Sequence, residues 1–197
     1  MTPTQLTSIA VLAVLVFWAV GAYNRLVRLK NTIANAFGQI DVQLKRRYDL
    51  IPNLVEAART YLSHERETLE AVITARNQAK SASDVARSRP SNALAVTTLA
   101  VAEQALTNSL GSLFALNEAY PELKADKTIR ELSEELTSTE NKVTFARQAF
   151  NDAVLDYNNA QGQFPALLVA KVFSFAPSAM LQATESAEER KTVRIAM

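Results

Sequence analysis

The sequence predicts an all-α protein: an N-terminal transmembrane helix that continues into a long kinked helix, followed by an antiparallel helical bundle of three to four helices. Three observations support this prediction. The 197 residues include only 4 Gly and 6 Pro, far fewer than the turns of a β fold require. Residues 2–24 carry no Asp, Glu, Lys or Arg. Beyond them, apolar residues recur at spacings of three and four, which is the period of an amphipathic helix.

The first element is an apolar run at residues 6–23, interpreted as the core of a membrane anchor that occupies residues 1–23. Its 18 residues make a helix of about 27 Å, close to the thickness of the hydrocarbon layer of a bilayer. A cleaved signal peptide and a buried core helix are the alternatives, but no Lys or Arg precedes the run as a signal peptide requires. Because positive charges follow the run from Arg25 onward, the positive-inside rule predicts an outside N-terminus and a cytoplasmic C-terminal body.

A helical bundle is expected over residues 24–181. Its first helix follows a single apolar stripe from Asn24 to about Lys80. Pro52 removes one backbone hydrogen bond from this helix, and because no cluster of turn residues accompanies it, we expect a kink rather than a break. The Ser-rich residues 81–91 are expected to form a loop.

Two more helices follow this loop. Asn92 is a suitable N-cap for a helix that runs to Asn117, and a third helix is expected to begin near Asp126. The third helix has the most regular apolar pattern of the chain, with alternating steps of three and four as in a coiled coil, and it should end at Gly162. Short connections between these helices predict antiparallel neighbours.

Residues 164–181 form a second apolar run, interrupted by Pro165, Lys171 and Pro177. The interruptions make this run unsuitable for crossing a bilayer, so we expect a short fourth helix that closes the bundle core. An interfacial helix that lies on the membrane is the alternative. Residues 182–197 are expected to be a polar tail that ends in a short extended segment.

Several motifs along the chain resemble the LemA family of bacterial membrane proteins. In the first half they are YNRLV at 23–27, NAF at 35–37, QIDVQLKRR at 39–47 and DLIPNLVE at 49–56; later ones are FAR at 145–147, Phe150-Asn151, Tyr157-Asn158, Phe164-Pro165 and Phe173. Phe150 departs from the Tyr expected in the family. The resemblance implies a single-pass protein of the bacterial inner membrane with a cytoplasmic helical bundle and no established enzymatic activity. It also implies, as a partner, a membrane protease of envelope quality control or another envelope protein.

The composition excludes many common enzyme classes. The chain has no Cys and a single His, His64, which leaves no thiolate metal site, cysteine nucleophile or HExxH motif. Its four Gly are far apart, so no Gly-rich phosphate-binding loop exists. Lys and Arg total 21 against 20 Asp and Glu, and nucleic acid is therefore not an expected partner. No catalytic, cofactor-binding or metal-binding residue is assigned, and no cofactor is expected.

Four polar residues lie on or beside the apolar stripes: Arg47, Asn53, Arg147 and Asn151. A catalytic site would need an acid and a base that converge in a pocket. Asparagine side chains are poor acid–base catalysts. We therefore expect these four residues to form a structural polar layer that fixes the register of the helices.

The predicted first helix is longer than either helix that follows it. Its membrane-proximal part would then expose an apolar stripe, which we expect to be an oligomer interface: Leu26, Leu29, Ile33, Phe37 and Ile40. The sequence thus favours a non-enzymatic, membrane-anchored scaffold or adaptor of the cell envelope that contacts membrane lipid and forms a homo-oligomer. A membrane-tethered enzyme with an unrecognised site is the alternative.

Overall fold

Six helices account for most of residues 2–181, the part of the chain that this computed structural model describes, apart from the side chains of residues 117, 118 and 124. They are α1 (Pro3–Arg59), α2 (Arg66–Ser88), α3 (Ala93–Ala119), α4 (Pro121–Ala125), α5 (Lys127–Gly162) and α6 (Ala166–Val172). No strand occurs among these residues, so the predicted all-α fold is confirmed. The polar tail and its predicted extended segment, residues 182–197, lie outside the described residues.

The helices α1, α2, α3 and α5 form an up-down-up-down bundle. The antiparallel pairing of α1 and α5 places the ring of Phe37 against that of Phe150, with centroids 5.8 Å apart. Helix α2 runs back along α1, and its Arg76 Nε donates a hydrogen bond of 2.8 Å to the carbonyl oxygen of Tyr48. Helix α3 returns beside α2 and is therefore parallel to α1.

The boundaries of α1 and α2 differ from the prediction. Helix α1 is continuous through Pro52, but it ends at Arg59 instead of continuing to about Lys80. The chain reverses at residues 60–65, where Leu62 is buried and its amide still bonds the carbonyl of Ala58. This turn contains neither Gly nor Pro, so the sequence carried no breaker to indicate it.

The loop predicted at residues 81–91 is also wrong over most of its length, because α2 continues to Ser88. Small residues on one face of this stretch, Ala82, Ser83 and Ala86, are buried. The connection to α3 is therefore only four residues long, and Asn92 at its end is the N-cap that was predicted: its Oδ1 accepts a hydrogen bond of 2.9 Å from the Ala95 amide.

The stripe that was expected to be exposed is covered within the single chain. Helix α5 begins opposite Tyr61, whose hydroxyl donates to Asp126, and continues until Ala160 packs on Leu26. No part of α1 between these points lacks a partner. The exposed-stripe prediction is therefore wrong, and the proposed oligomer interface loses its basis at Leu26, Ile33, Phe37 and Ile40, which are buried, and at Leu29, which is half-buried.

The first turns of α1 lie outside the bundle. They include an apolar window of 18 residues, none of it buried by the described residues, and α1 is the one described helix long and apolar enough to cross a membrane. Where this segment meets the bundle, α6 packs beside it. The ring of Tyr23 makes edge contacts with those of Phe173 and Phe175, at centroid distances of 4.8 and 5.6 Å.

Candidate functional site

A polar cleft opens between α3 and α5, which hardly approach each other over the residues described. Its volume is about 270 Å³. Helix α1 forms its floor, and Leu181 lines it as well. The lining residues are Leu44 and Arg47 from α1, Ala100, Glu103, Gln104 and Thr107 from α3, and Glu140, Val143, Thr144 and Arg147 from α5.

Arg47 is the centre of this cleft. It belongs to the buried stripe of α1, three residues after Leu44, and only 4% of its surface is exposed. Its Nη1 lies 2.8 Å from Oε2 of Glu103 and 2.7 Å from Oε2 of Glu140. Its Nη2 donates a hydrogen bond of 3.1 Å to the hydroxyl of Thr107. One guanidinium group thus connects α1 to both α3 and α5.

Glu103 is buried, and both of its carboxylate oxygens have partners. Oε2 accepts a hydrogen bond from Nη1 of Arg47, and Oε1 accepts one from the hydroxyl of Tyr48. Burial raises the pKa of Glu103, and the neighbouring Arg47 opposes that rise. Burial also raises the pKa of Tyr48 far above its ordinary value, with Glu103 adding to the rise, so the tyrosine keeps its proton and serves as a donor.

Arg147 lines the cleft from α5 and is half-buried. Its Nε is buried and has no hydrogen-bond partner within residues 2–181. The cleft therefore combines two arginines with two glutamates. Of these four charged groups, Arg47 contacts both glutamates, Glu103 and Glu140.

A second polar arrangement holds the chain after α6 against α5. Asn158 forms two hydrogen bonds with the main chain of Ser178: its Nδ2 donates to the carbonyl at 2.9 Å, and its Oδ1 accepts from the amide at 2.9 Å. Asn151 repeats the arrangement with Leu181, at 3.2 and 2.9 Å. The hydroxyl of Tyr157 donates to the carbonyl of Ala176, two residues before Ser178. We call Asn151 and Asn158 the asparagine clamp.

The predicted polar layer is only partly brought together. Arg47 and Arg147 both line the cleft, while Asn151 belongs to the clamp and reaches the cleft only through Leu181. Asn53 is exposed and is not part of either arrangement, so its placement in a buried layer is wrong.

Sequence reasoning missed Glu103, Glu140 and Tyr48. A signal for Glu103 was present, because it is one of only two charged residues in the 27 residues of α3 and lies between the apolar positions Leu99 and Leu106. A single charge inside an apolar stripe calls for a buried partner of opposite charge. Tyr48 and Glu140 offer no comparable signal.

The cleft has the chemistry of a helix-locking ion-pair cluster. Its buried arginine donates hydrogen bonds to Glu103 and Thr107 of α3 and forms an ion pair with Glu140 of α5, and these contacts favour one alignment of α1, α3 and α5. Among the residues described, no group of three or more Asp, Glu or His side chains is placed to hold a metal ion.

Two comparisons with known proteins bear on these two sites. The model of the LemA family matches residues 36–196. Protein LemA of Metamycoplasma hominis is 25% identical over 177 residues, a match that covers 90% of this chain and 76% of that protein.

Proposed function

The chain belongs to the LemA family, and from that premise we propose that it is a non-enzymatic, membrane-anchored scaffold or adaptor of the bacterial cell envelope. The observation that carries this proposal is the continuity of α1. One helix contains both the uncovered apolar segment and the core stripe of the bundle, from Pro3 to Arg59. No linker separates the anchor from the body.

A continuous helix fixes the distance along α1 between each part of the bundle and the apolar segment. From Tyr23 to Arg59, α1 extends for about 54 Å. Arg25, Arg28 and Lys30 are exposed directly after the apolar run, which favours a bundle on the cytoplasmic side of the inner membrane and an N-terminus outside. The binding surfaces of the bundle would then lie at set distances along α1 from the end of the apolar segment.

The pairing within the cleft supports a non-enzymatic role. A membrane-tethered enzyme, the alternative, needs an acid or base that is free to face a substrate. Glu103 and Glu140 instead lie within 2.8 Å of the same guanidinium group.

We propose that the scaffold is a homo-oligomer of this chain. Anchoring in one membrane restricts orientation and raises the effective concentration of one copy for another. A groove of about 770 Å³ between α2 and α3, with the exposed apolar side chains Val85 and Leu94 on its wall, supplies a surface that residues 2–181 leave uncovered. A second copy is its proposed occupant; a membrane protease or another envelope protein is a further proposed partner of the assembly.

The particle mass of the full-length protein in detergent, measured by light scattering, tests this proposal. We expect more than one copy per particle, and fewer copies for Leu94→Glu. The matched control is Phe145→Glu, which places the same charge at an equally exposed apolar residue on α5. A monomeric wild-type protein, or equal effects of the two substitutions, would contradict self-association through α2 and α3.

A further inference from the structure

Helix α6 presents an apolar face to its surroundings. Leu168 and Val172 are spaced by four residues and therefore lie on one side of α6, while Phe164 comes just before the helix and Phe173 directly after it. All four side chains are more than half exposed, and Phe164 reaches 80%. We call these four residues the α6 face.

The opposite side of α6 is fixed to the bundle. Val169 and Ala170 are buried, and Ala170 packs with Leu26 of α1 and Ala160 of α5. Tyr23, the last residue of the apolar run of α1, contacts Phe173. The α6 face therefore lies at the level where α1 leaves its apolar segment.

The charges around the α6 face are positive. Residues 157–173 contain no Asp or Glu, whereas Lys171 is exposed within α6 itself. Across the contact with α1, Arg25, Arg28 and Lys30 are exposed as well. An apolar face bordered by cations is the pattern of a helix that lies in the headgroup layer of a membrane with anionic lipids.

We propose that the α6 face inserts into the surface of the same bilayer that α1 spans. This inference rests on the proposed anchoring through α1 and adds a second lipid contact to it. A helix of seven residues is only about 10 Å long and cannot cross a bilayer, but it can lie in its surface. Two contacts on different helices fix the tilt of the bundle, which a single spanning helix does not.

Spin labels can test the insertion in the full chain, because the protein has no natural cysteine. Single variants Phe164→Cys, Leu168→Cys and Val172→Cys are labelled with a nitroxide and reconstituted into phosphatidylglycerol vesicles. Collision rates with oxygen, which concentrates in lipid, and with a water-soluble nickel complex are then measured. Phe145→Cys is the matched control, since Phe145 is 78% exposed and lies about 30 Å further along the bundle.

We expect the ratio of the oxygen to the nickel collision rate at the three labelled positions of the α6 face to exceed that at residue 145 several-fold. A ratio equal to that of the control would overturn the inference, because the α6 face would then be in water. Exclusion of both reagents would also overturn it, because another protein surface would cover the face. Leu12→Cys, within the apolar run, tests the anchor separately: low nickel access there with a water-exposed α6 face retains the anchor and rejects the insertion.

Discussion

Arg46 and Arg47 are neighbours in the chain but differ completely in environment. Successive helix positions point about 100° apart, so Arg47 enters the bundle while Arg46 stays exposed and pairs with Glu135 at the surface. The two residues provide a matched pair for measuring what the buried cluster contributes to stability.

We predict that Arg47→Met lowers the free energy of unfolding by about 3 kcal/mol at neutral pH, because it leaves buried Glu103 without its cation. Arg46→Met should cost less than about 1 kcal/mol, since exposed ion pairs contribute little. Urea unfolding of the full-length protein in detergent, followed by circular dichroism, measures both. Equal losses would mean that the cleft does not stabilise the bundle.

Acidification should reduce the cost of Arg47→Met. Burial already raises the pKa of Glu103, and removal of Arg47 takes away the largest of the influences that oppose this rise. A carboxyl whose pKa is raised by folding binds its proton more tightly in the folded state, so stability falls as the pH rises through the interval between the unfolded and folded pKa values. Unfolding of Arg47→Met across a pH series should show this slope, and the double variant Arg47→Met/Glu103→Gln should lack it.

Asp126 contributes stability with the opposite pH dependence. Its Oδ1 accepts a hydrogen bond of 3.0 Å from the amide of Ile129 at the start of α5, and this bond, with the Tyr61 hydroxyl, lowers its pKa. The contribution is therefore present above the unfolded pKa and lost as the pH falls below about 4. The melting temperature of the wild type should therefore fall as the pH drops below about 4, and Asp126→Asn should lack the part of this fall that Asp126 causes. Parallel profiles for the variant and the wild type would contradict it.

At the scale of elements, the asparagine clamp is the feature most open to a direct test. Asn158→Ala removes two hydrogen bonds to the main chain of Ser178 and should cost about 2 kcal/mol, at about 1 kcal/mol for each bond. Amide hydrogen exchange at Ser178 should accelerate. Asn159→Ala, at the exposed neighbouring position, is the control and should leave this exchange rate unchanged.

Helix ends were predictable where a side chain caps them and unpredictable where packing alone decides. Asn92 and Asp126 both accept hydrogen bonds from the amide three residues later. Asn92 was predicted as a cap from the sequence, and the start of α5 was predicted near Asp126 or Lys127. The turn after Arg59 has no such capping side chain. Conversely, Ser81 and its small neighbours resemble a loop in composition, but their size lets α2 pack closely against the bundle.

The candidate site was only half predictable for a related reason. An arginine within an apolar stripe, such as Arg47, shows that a buried charge exists. Which helix supplies the partner of Arg47 depends on how the helices are arranged around the bundle. In the structure this partner, Glu103, comes from α3 on the opposite side of the bundle from α1. That arrangement depends on the connections, and the connection after Arg59 was misplaced.

At the scale of the whole molecule, this misplaced turn also explains the error about the apolar stripe. Adding α2 to the first helix made that helix appear too long for its partners. In the structure the body of α1, from Leu26 to Arg59, is matched by the 36 residues of α5. The apolar stripe of α1 is therefore not available to other molecules, and the surfaces that we propose for them lie on α2, α3 and α6.

Membrane orientation is a further prediction at this scale. All the positive charge near the apolar run follows it, so the C-terminus should lie in the cytoplasm. Green fluorescent protein fused after Met197 should fluoresce, and alkaline phosphatase fused at the same position should be inactive. An active phosphatase fusion would place the bundle on the other side of the membrane.

The asparagine clamp also has a consequence for alignment. Asn151 and Asn158 are about 10.5 Å apart along α5, and the three-residue step from Ser178 to Leu181 covers about 10 Å in an extended chain. The seven-residue separation of the asparagines on the helix therefore equals the three-residue separation of their partners in an extended chain. A shift of one residue along α5 would misalign both asparagines at once, and the next position of the same spacing is Thr144. The segment after α6 therefore has a single register on α5.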